Sequence, residues 1–378
     1  MPTILQRDAN AQPLHTQVAA ILKERILTGT WRDGENIPTE KALSVEFDVA
    51  RGTVRQALQK LEAEGYLRRE QGRGTFVRLG KPANGAAKTS SAPRLAFVVP
   101  YVRDSSVSTM LIGFQQLAEQ AGYVVIFNHV NNDLTQQEQV INKLVRDDIA
   151  GIALYPVDSD HIAPIDQIAP TGFPIVLIDR YLKGLSTDYV MSDHFGGAVR
   201  AVHYLIDQGH TQVGFVTWLS PATSMEHRQV GYLQALRERG IQQDASLVCY
   251  VEGYPTVDLT PLRAYLSSPN RPTAVLAAND QIAIALYRAA AAVGLSVPDD
   301  LSIVGFDNLD ISEHLDPPLT TIAQPFLKIG QTAAELLIQR IQGDTQYPQQ
   351  YLRQVTIAPD LIVRASTTML TQEEAQLR

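Results

Sequence analysis

Residues 38–77, PTEKALSVEFDVARGTVRQALQKLEAEGYLRREQGRGTFV, admit few folds. They hold two short helical patterns, a break between them, and a basic hairpin. Leu43, Val45 and Phe47 are the apolar residues of the first pattern, and Thr39 followed by Glu40 suits a helix start. Asp48-Val49 interrupts it. Val54, Ala57, Leu58 and Leu61 then recur at helical spacing over 50–64, and Gly65 stands where a left-handed cap belongs. Residues 66–69 and 75–78 alternate like strands around EQGRG, whose two glycines permit a tight turn. An amphipathic helix over 13–29, with Val18, Ile21, Leu22 and Ile26 inward, scaffolds the rest. The expected fold is a winged helix-turn-helix.

Arg51 and Arg55, four apart at the start of the second helix, share a face. A guanidinium group at that end of a helix lying in a major groove can bond two acceptors of guanine at once. Arg73, at the hairpin tip, can enter a minor groove or meet phosphate. The expected partner is double-stranded operator DNA, contacted by Thr39, Arg51, Gly52, Thr53, Arg55, Arg68, Arg73 and Gly74. The segments PLHTQVAAIL, ILTGTW, GENIPTEKAL, RGTVRQAL, LEAEGYLRR and QGRGTFV resemble the GntR family of bacterial transcription regulators over about 13–77. The sequence departs from that family at Ala50, where serine is usual, and at Gly52, where a hydroxyl residue is usual. That points to one phosphate contact fewer.

Charge separates this stretch from the remainder. Residues 1–80 carry 12 Lys/Arg against 10 Asp/Glu, a net of +2, while the remainder carries 20 against 30, a net of −10. An acidic body repels DNA and confines contact to the head. The single cysteine, Cys249, excludes an intramolecular disulfide and a Cys-cluster metal site. The N-terminus lacks the apolar run of a signal peptide, and no stretch is long enough to span a membrane. A cytoplasmic protein without a membrane partner is expected, and no metal or cofactor.

Residues 80–93, GKPANGAAKTSSAP, have no apolar periodicity and read as a flexible linker after a head of 1–79. From Arg94 strands alternate with helices, and several strands, such as LAFVVP, GIALYP and PIVLID, are unbroken apolar runs of the kind buried on both faces of a parallel sheet. The alternation restarts after residue 193. Two α/β lobes in series are therefore expected over 94–370: lobe 1 about 94–192 with 319–343, lobe 2 about 193–318 with 344–370. YLRQVTIAPDLIVRAST reads as a hairpin.

Ligands of doubly wound sheets sit beyond the carboxyl ends of the strands. There the sequence places Tyr101 and Asp104, Asp179 and Arg180, Asp193, Trp218, Asn279, Asp307 and Gln324, with Arg228 near a helix start. Carboxylates, amides and guanidinium groups beside aromatics suit a polyol, whose hydroxyls both donate and accept while its C–H faces stack on rings. The motifs IDR, SDHFGGAVRAVHYLIDQGH, HRQVGYLQAL, AANDQIAIALYRAAAAVGLSVPDDLSIVGFDN, PPLTTIAQP and PDLIVRAS resemble LacI-type effector domains and the related periplasmic sugar-binding proteins. That likeness implies a two-lobed periplasmic-binding-protein-like parallel α/β domain, with Asp179, Arg180, Arg228, Asn279, Asp307 and Gln324 bonding sugar hydroxyls and Asp280 capping a helix. The family's paired aromatics after the first strand are replaced here by Ser106 and Val107, so the stacking surface falls to Tyr101, Trp218 or Tyr254. A GntR-type head on a LacI-type body resembles the arabinose-utilisation repressors of Gram-positive bacteria.

No G-x-S-x-G elbow and no P-loop are present. His194, His203 and His210 lack metal-ligand spacing. Three classes stay open: a homodimeric repressor governed by a sugar, possessing no catalytic residues; a sugar-metabolising enzyme carrying a DNA-binding domain; and an architectural DNA protein whose body only dimerises. Sugar binding without turnover distinguishes the first.

Overall fold

The computed structural model describes residues 13–370 apart from 28–29, 32–33, 64–65, 71–73, 78–91, 148, 253–255 and 344–350. It divides into two compact units, 1–91 and 92–378. Arg73, Tyr254, Gly65 and nearly all of the expected linker lie outside the described residues.

The head holds helices α1 (Leu14–Leu27), α2 (Glu40–Glu46) and α3 (Arg51–Ala63) and the antiparallel strands β1 (Leu67–Glu70) and β2 (Gly74–Val77). Its core joins Val18, Leu22 and Ile26 of α1 to Leu43 of α2 and Val54, Ala57, Leu58 and Leu61 of α3. Val45, expected inward, is instead 77% exposed. On a seven-residue helix Leu43 and the following Phe47 already fill the inner stripe, and Val45, two residues from each, points away. Asp48, at φ 50°, makes the turn between α2 and α3, and the Ser44 hydroxyl donates to the Val49 carbonyl at 2.6 Å.

The second unit begins with β3 (Arg94–Val99), α4 (Ser105–Gln120), β4 (Val124–His129), α5 (Leu134–Arg146), β5 (Gly151–Leu154), α6 (Ile165–Ile168), β6 (Ile175–Ile178) and β7 (Asp188–Ser192). It continues with α7 (His194–Asp207), β8 (Val213–Trp218), α8 (Thr223–Glu238), β9 (Val248–Val251), α9 (Leu259–Leu266), β10 (Ala274–Ala277), α10 (Asp280–Ala292), β11 (Ser302–Asp307) and β12 (Thr320–Ala323). The helix α11 (Phe326–Gln342) and strands β13 (Gln354–Ile357) and β14 (Asp360–Ile362) complete it. The strands form two six-stranded sheets of corresponding order, β4-β3-β5-β6-β7-β13 and β9-β8-β10-β11-β12-β14. Within these two sheets the described pairs are parallel except β12 with β14.

The apolar runs explain the layers. Leu95, Phe97 and Val99 of β3 face α4 and α11, while Ala96 and Val98 face the side of Ile141 and Ile165. A strand buried on both faces needs apolar residues at every position. α4 and α11 approach closely because Gly113 and Gly330 lie at their contact: a Cβ at Gly330 would overlap the Met110 carbonyl.

The pairing corrects the expected lobe division. β12 lies in the second sheet, not the first, and β13 in the first, not the second. β13 pairs in parallel with β7 and β14 antiparallel with β12, so 351–367 is not a hairpin. The chain thus changes lobe three times, after β7, after β12 and after β13.

Candidate functional site

Within each sheet the strand order reverses at a central pair, β3/β5 in one lobe and β8/β10 in the other, which is where doubly wound sheets bind ligands. The carboxyl ends of both sets line a cleft. Corresponding strands β6 and β11 each deliver an aspartate in left-handed backbone, Asp179 at φ 67° and Asp307 at φ 122°, with Asn308 at 56°. Such conformations cost about 1–3 kcal/mol each in a residue with a Cβ and persist where the surroundings impose them.

An inner chamber of about 30 Å³ is lined by Tyr101, Asp104, Ser106, Met110, Tyr155 and Asp179 from one lobe and by Met225, Arg228, Asn279, Gln281 and Asp307 from the other, with Gln324 and Phe326 at a crossover. Arg228 is buried. Its Nη2 lies 3.4 Å from Asp307, Nη1 donates to the Ala278 carbonyl, and the guanidinium lies 3.9 Å from the Phe306 ring centre. Gln324 donates to Asp307 at 2.5 Å, while its own buried Oε1 has no hydrogen-bond partner. Asn279 accepts from the Ile282 amide at 2.9 Å as the cap of α10 and still lines the chamber.

A histidine not anticipated as a site residue ties the two aspartates together. His194 Nε2 donates to the Asp179 carbonyl at 3.0 Å, which leaves Nδ1 to accept from Arg228 at 3.2 and 3.4 Å. Burial and the Arg228 charge push its pKa down to about 3, so the ring is neutral at pH 7. Burial pushes the Asp179 carboxyl up, but the Arg180 and Arg228 charges and the Tyr155 hydroxyl more than offset it, and the group sits below the usual aspartate range. Asp307 goes the other way. Burial, with Asp280 and Asp104 nearby, holds it well above that range despite Arg228. Asp280 does not supply the side-chain cap of α10, which is Asn279. Its carboxylate accepts from Leu309 N, Ser312 and Thr321 at 2.9, 2.6 and 2.7 Å and thereby anchors the loop that follows Asp307.

Three expected ligand residues stand apart from the inner chamber. Arg180 lies over the Tyr155 ring at 4.7 Å and donates to Tyr155 and to the Val157 carbonyl, both at 3.0 Å; it and Trp218 line an outer chamber of about 490 Å³ instead. Asp193 lines neither. Its carboxylate accepts from Gly196 N at 2.8 Å and caps α7, because a helix starts directly after it. Of the stacking surfaces considered, Tyr101 lines both chambers; Tyr155 and Phe326 add rings that were not foreseen. Val107 is core.

The lobes also touch beside the cleft. Ser159 and Thr223 pair their buried hydroxyls at 3.1 Å, Thr223 N donates to Ser159 at 3.0 Å, and Tyr181 N donates to Thr223 at 3.3 Å. Lys183 of lobe 1 pairs with Glu226 of lobe 2, and Tyr181 Oη lies 3.3 Å from His227 Nε2.

On the head, Thr39 caps α2 by accepting from Ala42 N at 3.3 Å. Arg51 and Gly52 open α3 and are exposed, with Thr53 half-buried behind them. Arg55 on α3 and Arg69 on β1 both bond Glu40, at 3.1 Å each, while Arg68 is exposed on β1. Gly74, at φ 126°, opens β2 against the Asn36 side chain, where a Cβ would crowd. Among the described residues no three His, Cys, Asp or Glu side chains cluster to hold a metal, and no helix is long and apolar enough to cross a membrane.

Residues 14–77 match the bacterial regulatory proteins of the gntR family, and residues 202–367 match the periplasmic binding protein-like domain. The chain belongs to the DNA-binding transcriptional regulators that join these two parts. It is similar to the Arabinose metabolism transcriptional repressor of Geobacillus stearothermophilus, 30% identical over 367 residues that span 94% of this chain and 98% of that protein. The HTH-type transcriptional repressor CytR of Escherichia coli (strain K12) is 30% identical over 339 residues, 89% of this chain and 98% of that one. Among solved structures, a LacI family transcriptional regulator from Enterococcus faecium with bound ribose superposes with a TM-score of 0.63 at 27% identity, over 74% of this chain and all of that one.

Proposed function

We propose that the chain is a homodimeric repressor whose two winged heads read a pseudo-palindromic operator and whose cleft binds a sugar that lowers operator affinity. The observation that carries the sugar reading is the opposed pair Asp179 and Asp307, both in strained backbone, bridged by His194 and Arg228. The orphan Gln324 Oε1 beside them supports a hydroxyl-bearing guest. That the relatives are repressors supports the sign and speaks for binding without turnover. A two-fold dimer fits two half-sites, and exposed Phe127 on edge strand β4 supports a self-contact. Since effector and DNA bias one equilibrium, each weakens the other by the same factor.

The test is operator binding by fluorescence anisotropy with and without a panel of pentoses and hexoses, alongside a turnover assay. Arg51→Ala should cost about 1–3 kcal/mol on operator DNA and relax base preference. Arg228→Ala should bind operator in the absence of sugar and no longer release it. Unchanged operator affinity in the first variant, or sugar release retained in the second, contradicts the corresponding assignment.

A further inference from the structure

His194 is the first residue of α7, so it stands where the backbone has just left lobe 1 through β7 and entered lobe 2. Its side chain is wholly buried and lines neither chamber of the cleft. One ring nitrogen reaches back: Nε2 donates to the Asp179 carbonyl, at the end of β6 in lobe 1, at 3.0 Å. The other stays in lobe 2, where Nδ1 accepts from Arg228 Nε and Nη2 of α8 at 3.4 and 3.2 Å. The assignment is forced from both sides. A carbonyl can only accept and a guanidinium can only donate, so the proton sits on Nε2. One ring thereby joins the two lobes at a crossover.

The surroundings leave Arg228 little freedom. Its guanidinium lies on the Phe306 ring face at 3.9 Å, and Nη1 donates to the Ala278 carbonyl. Phe306 is wedged in turn: a Cβ at Gly197 would come within 3.0 Å of its ring and of Pro359, beside the third crossover. There Asp193 N donates to the Ile357 carbonyl at 2.8 Å. The inner chamber that Arg228 lines, about 30 Å³, admits a group the size of a water or a hydroxyl and not a ring. A guest that meets Arg228 does so through one projecting group, and the guanidinium must already point correctly.

Resting on the reading of the cleft as a polyol site, we propose that His194 is a positioning residue with two separable duties. Its acceptor nitrogen holds Arg228 where an effector hydroxyl meets it, and its donor nitrogen carries that arrangement to lobe 1 through the Asp179 carbonyl. Without the first, Arg228 must be ordered as the sugar binds, and affinity falls. Without the second, Arg228 stays aligned but its occupancy no longer biases the lobes, and less of the coupling reaches the heads.

Two amides copy these duties one at a time. Asparagine places its amide where Nδ1 stands and can accept from Arg228, but does not reach the Asp179 carbonyl; glutamine places its amide where Nε2 stands and does the reverse. Full-length wild type, His194→Asn and His194→Gln are titrated calorimetrically with L-arabinose, D-ribose and D-glucose. Each is also bound to a fluorescent duplex that the wild type selects from a random pool, with and without saturating amounts of the sugar that the wild type binds. His194→Gln should bind that sugar at least about tenfold more weakly, while the factor by which saturating sugar weakens duplex binding stays within about twofold of wild type. His194→Asn should keep the sugar affinity within about threefold and lose at least about fivefold of that factor. Duplex affinity without sugar should match wild type in both. Equal losses in the two variants, no loss in either, or the opposite assignment overturns the inference, and so does failure of both variants to bind the duplex without sugar, which would mark a residue of the fold alone. A wild type that binds none of the sugars refutes the polyol reading itself, a separate result, and removes the ground of the inference with it.

Discussion

His194 shows how one buried ring sets the electrostatics of the cleft. Its pKa of about 3 in the fold, against about 6.5 unfolded, means that the unfolded chain binds the extra proton between those values. Stability that His194 contributes near pH 7 is therefore lost as pH falls below about 6.5, on the order of 2 kcal/mol by pH 5. Asp280, raised to about 6, acts with the opposite sign over its own window, since the folded state then holds the proton from about pH 4 to 6. The wild-type profile is the sum, so the readout is a difference: urea melts of His194→Asn and wild type should converge as pH drops from 7 to 5. Parallel profiles would show that the ring is not neutral in the fold. This residue had no signal in the sequence, because its partners Asp179 and Arg228 lie 15 and 34 positions away. Asp193 was misread for a different reason. Asp179 is followed by a loop and Asp193 by a helix with Gly196 three residues on, a local difference visible in the sequence, and the Asp193 carboxylate is taken up by the Gly196 amide.

Among elements, α2, α3 and the wing are joined by Glu40, whose carboxyl sits below the usual range, chiefly through its hydrogen bond to Arg55 and against the opposing effect of burial. The same carboxylate neutralises two cations, Arg55 and Arg69, on the face proposed to meet DNA. Exposed pairs of this kind stabilise little. Glu40→Gln should thus leave the melting temperature nearly unchanged while tightening non-specific DNA binding and steepening its salt dependence by about one to two in log–log slope. An unaltered slope in a salt titration would mean that neither guanidinium reaches phosphate. The head was legible because helical spacing, the Thr39 cap and the alternation of the two wing strands are short-range signals. The lobe assignment of β12 and β13 was not: a four-residue apolar strand fits either sheet, and only pairing with β11 or β7 decides.

For the molecule as a whole, the contact of Ser159 with Thr223 matters because it spans the two lobes. Thr223→Ala keeps the bond from Thr223 N to Ser159 but removes the hydroxyl that the buried Ser159 side chain and the Tyr181 amide both meet across the lobes, a cost of about 1–3 kcal/mol. The closed arrangement becomes rarer, and the apparent effector affinity falls by the same factor. The sugar concentration that half-releases operator should rise roughly fivefold or more, with operator affinity in the absence of sugar little changed. An unshifted midpoint in the anisotropy titration would mean that these hydroxyls do not report on closure.

The threefold passage of the backbone between the lobes has an evolutionary corollary. Neither half of the clamp is encoded by an uninterrupted stretch of gene, so recombination cannot trade one half for another without tearing an edge strand out of each. The reader domain, contiguous from its first residue to its last, is free of that constraint. New combinations in such a lineage arise by exchanging readers over an intact clamp, and new ligand preferences by substitution inside it.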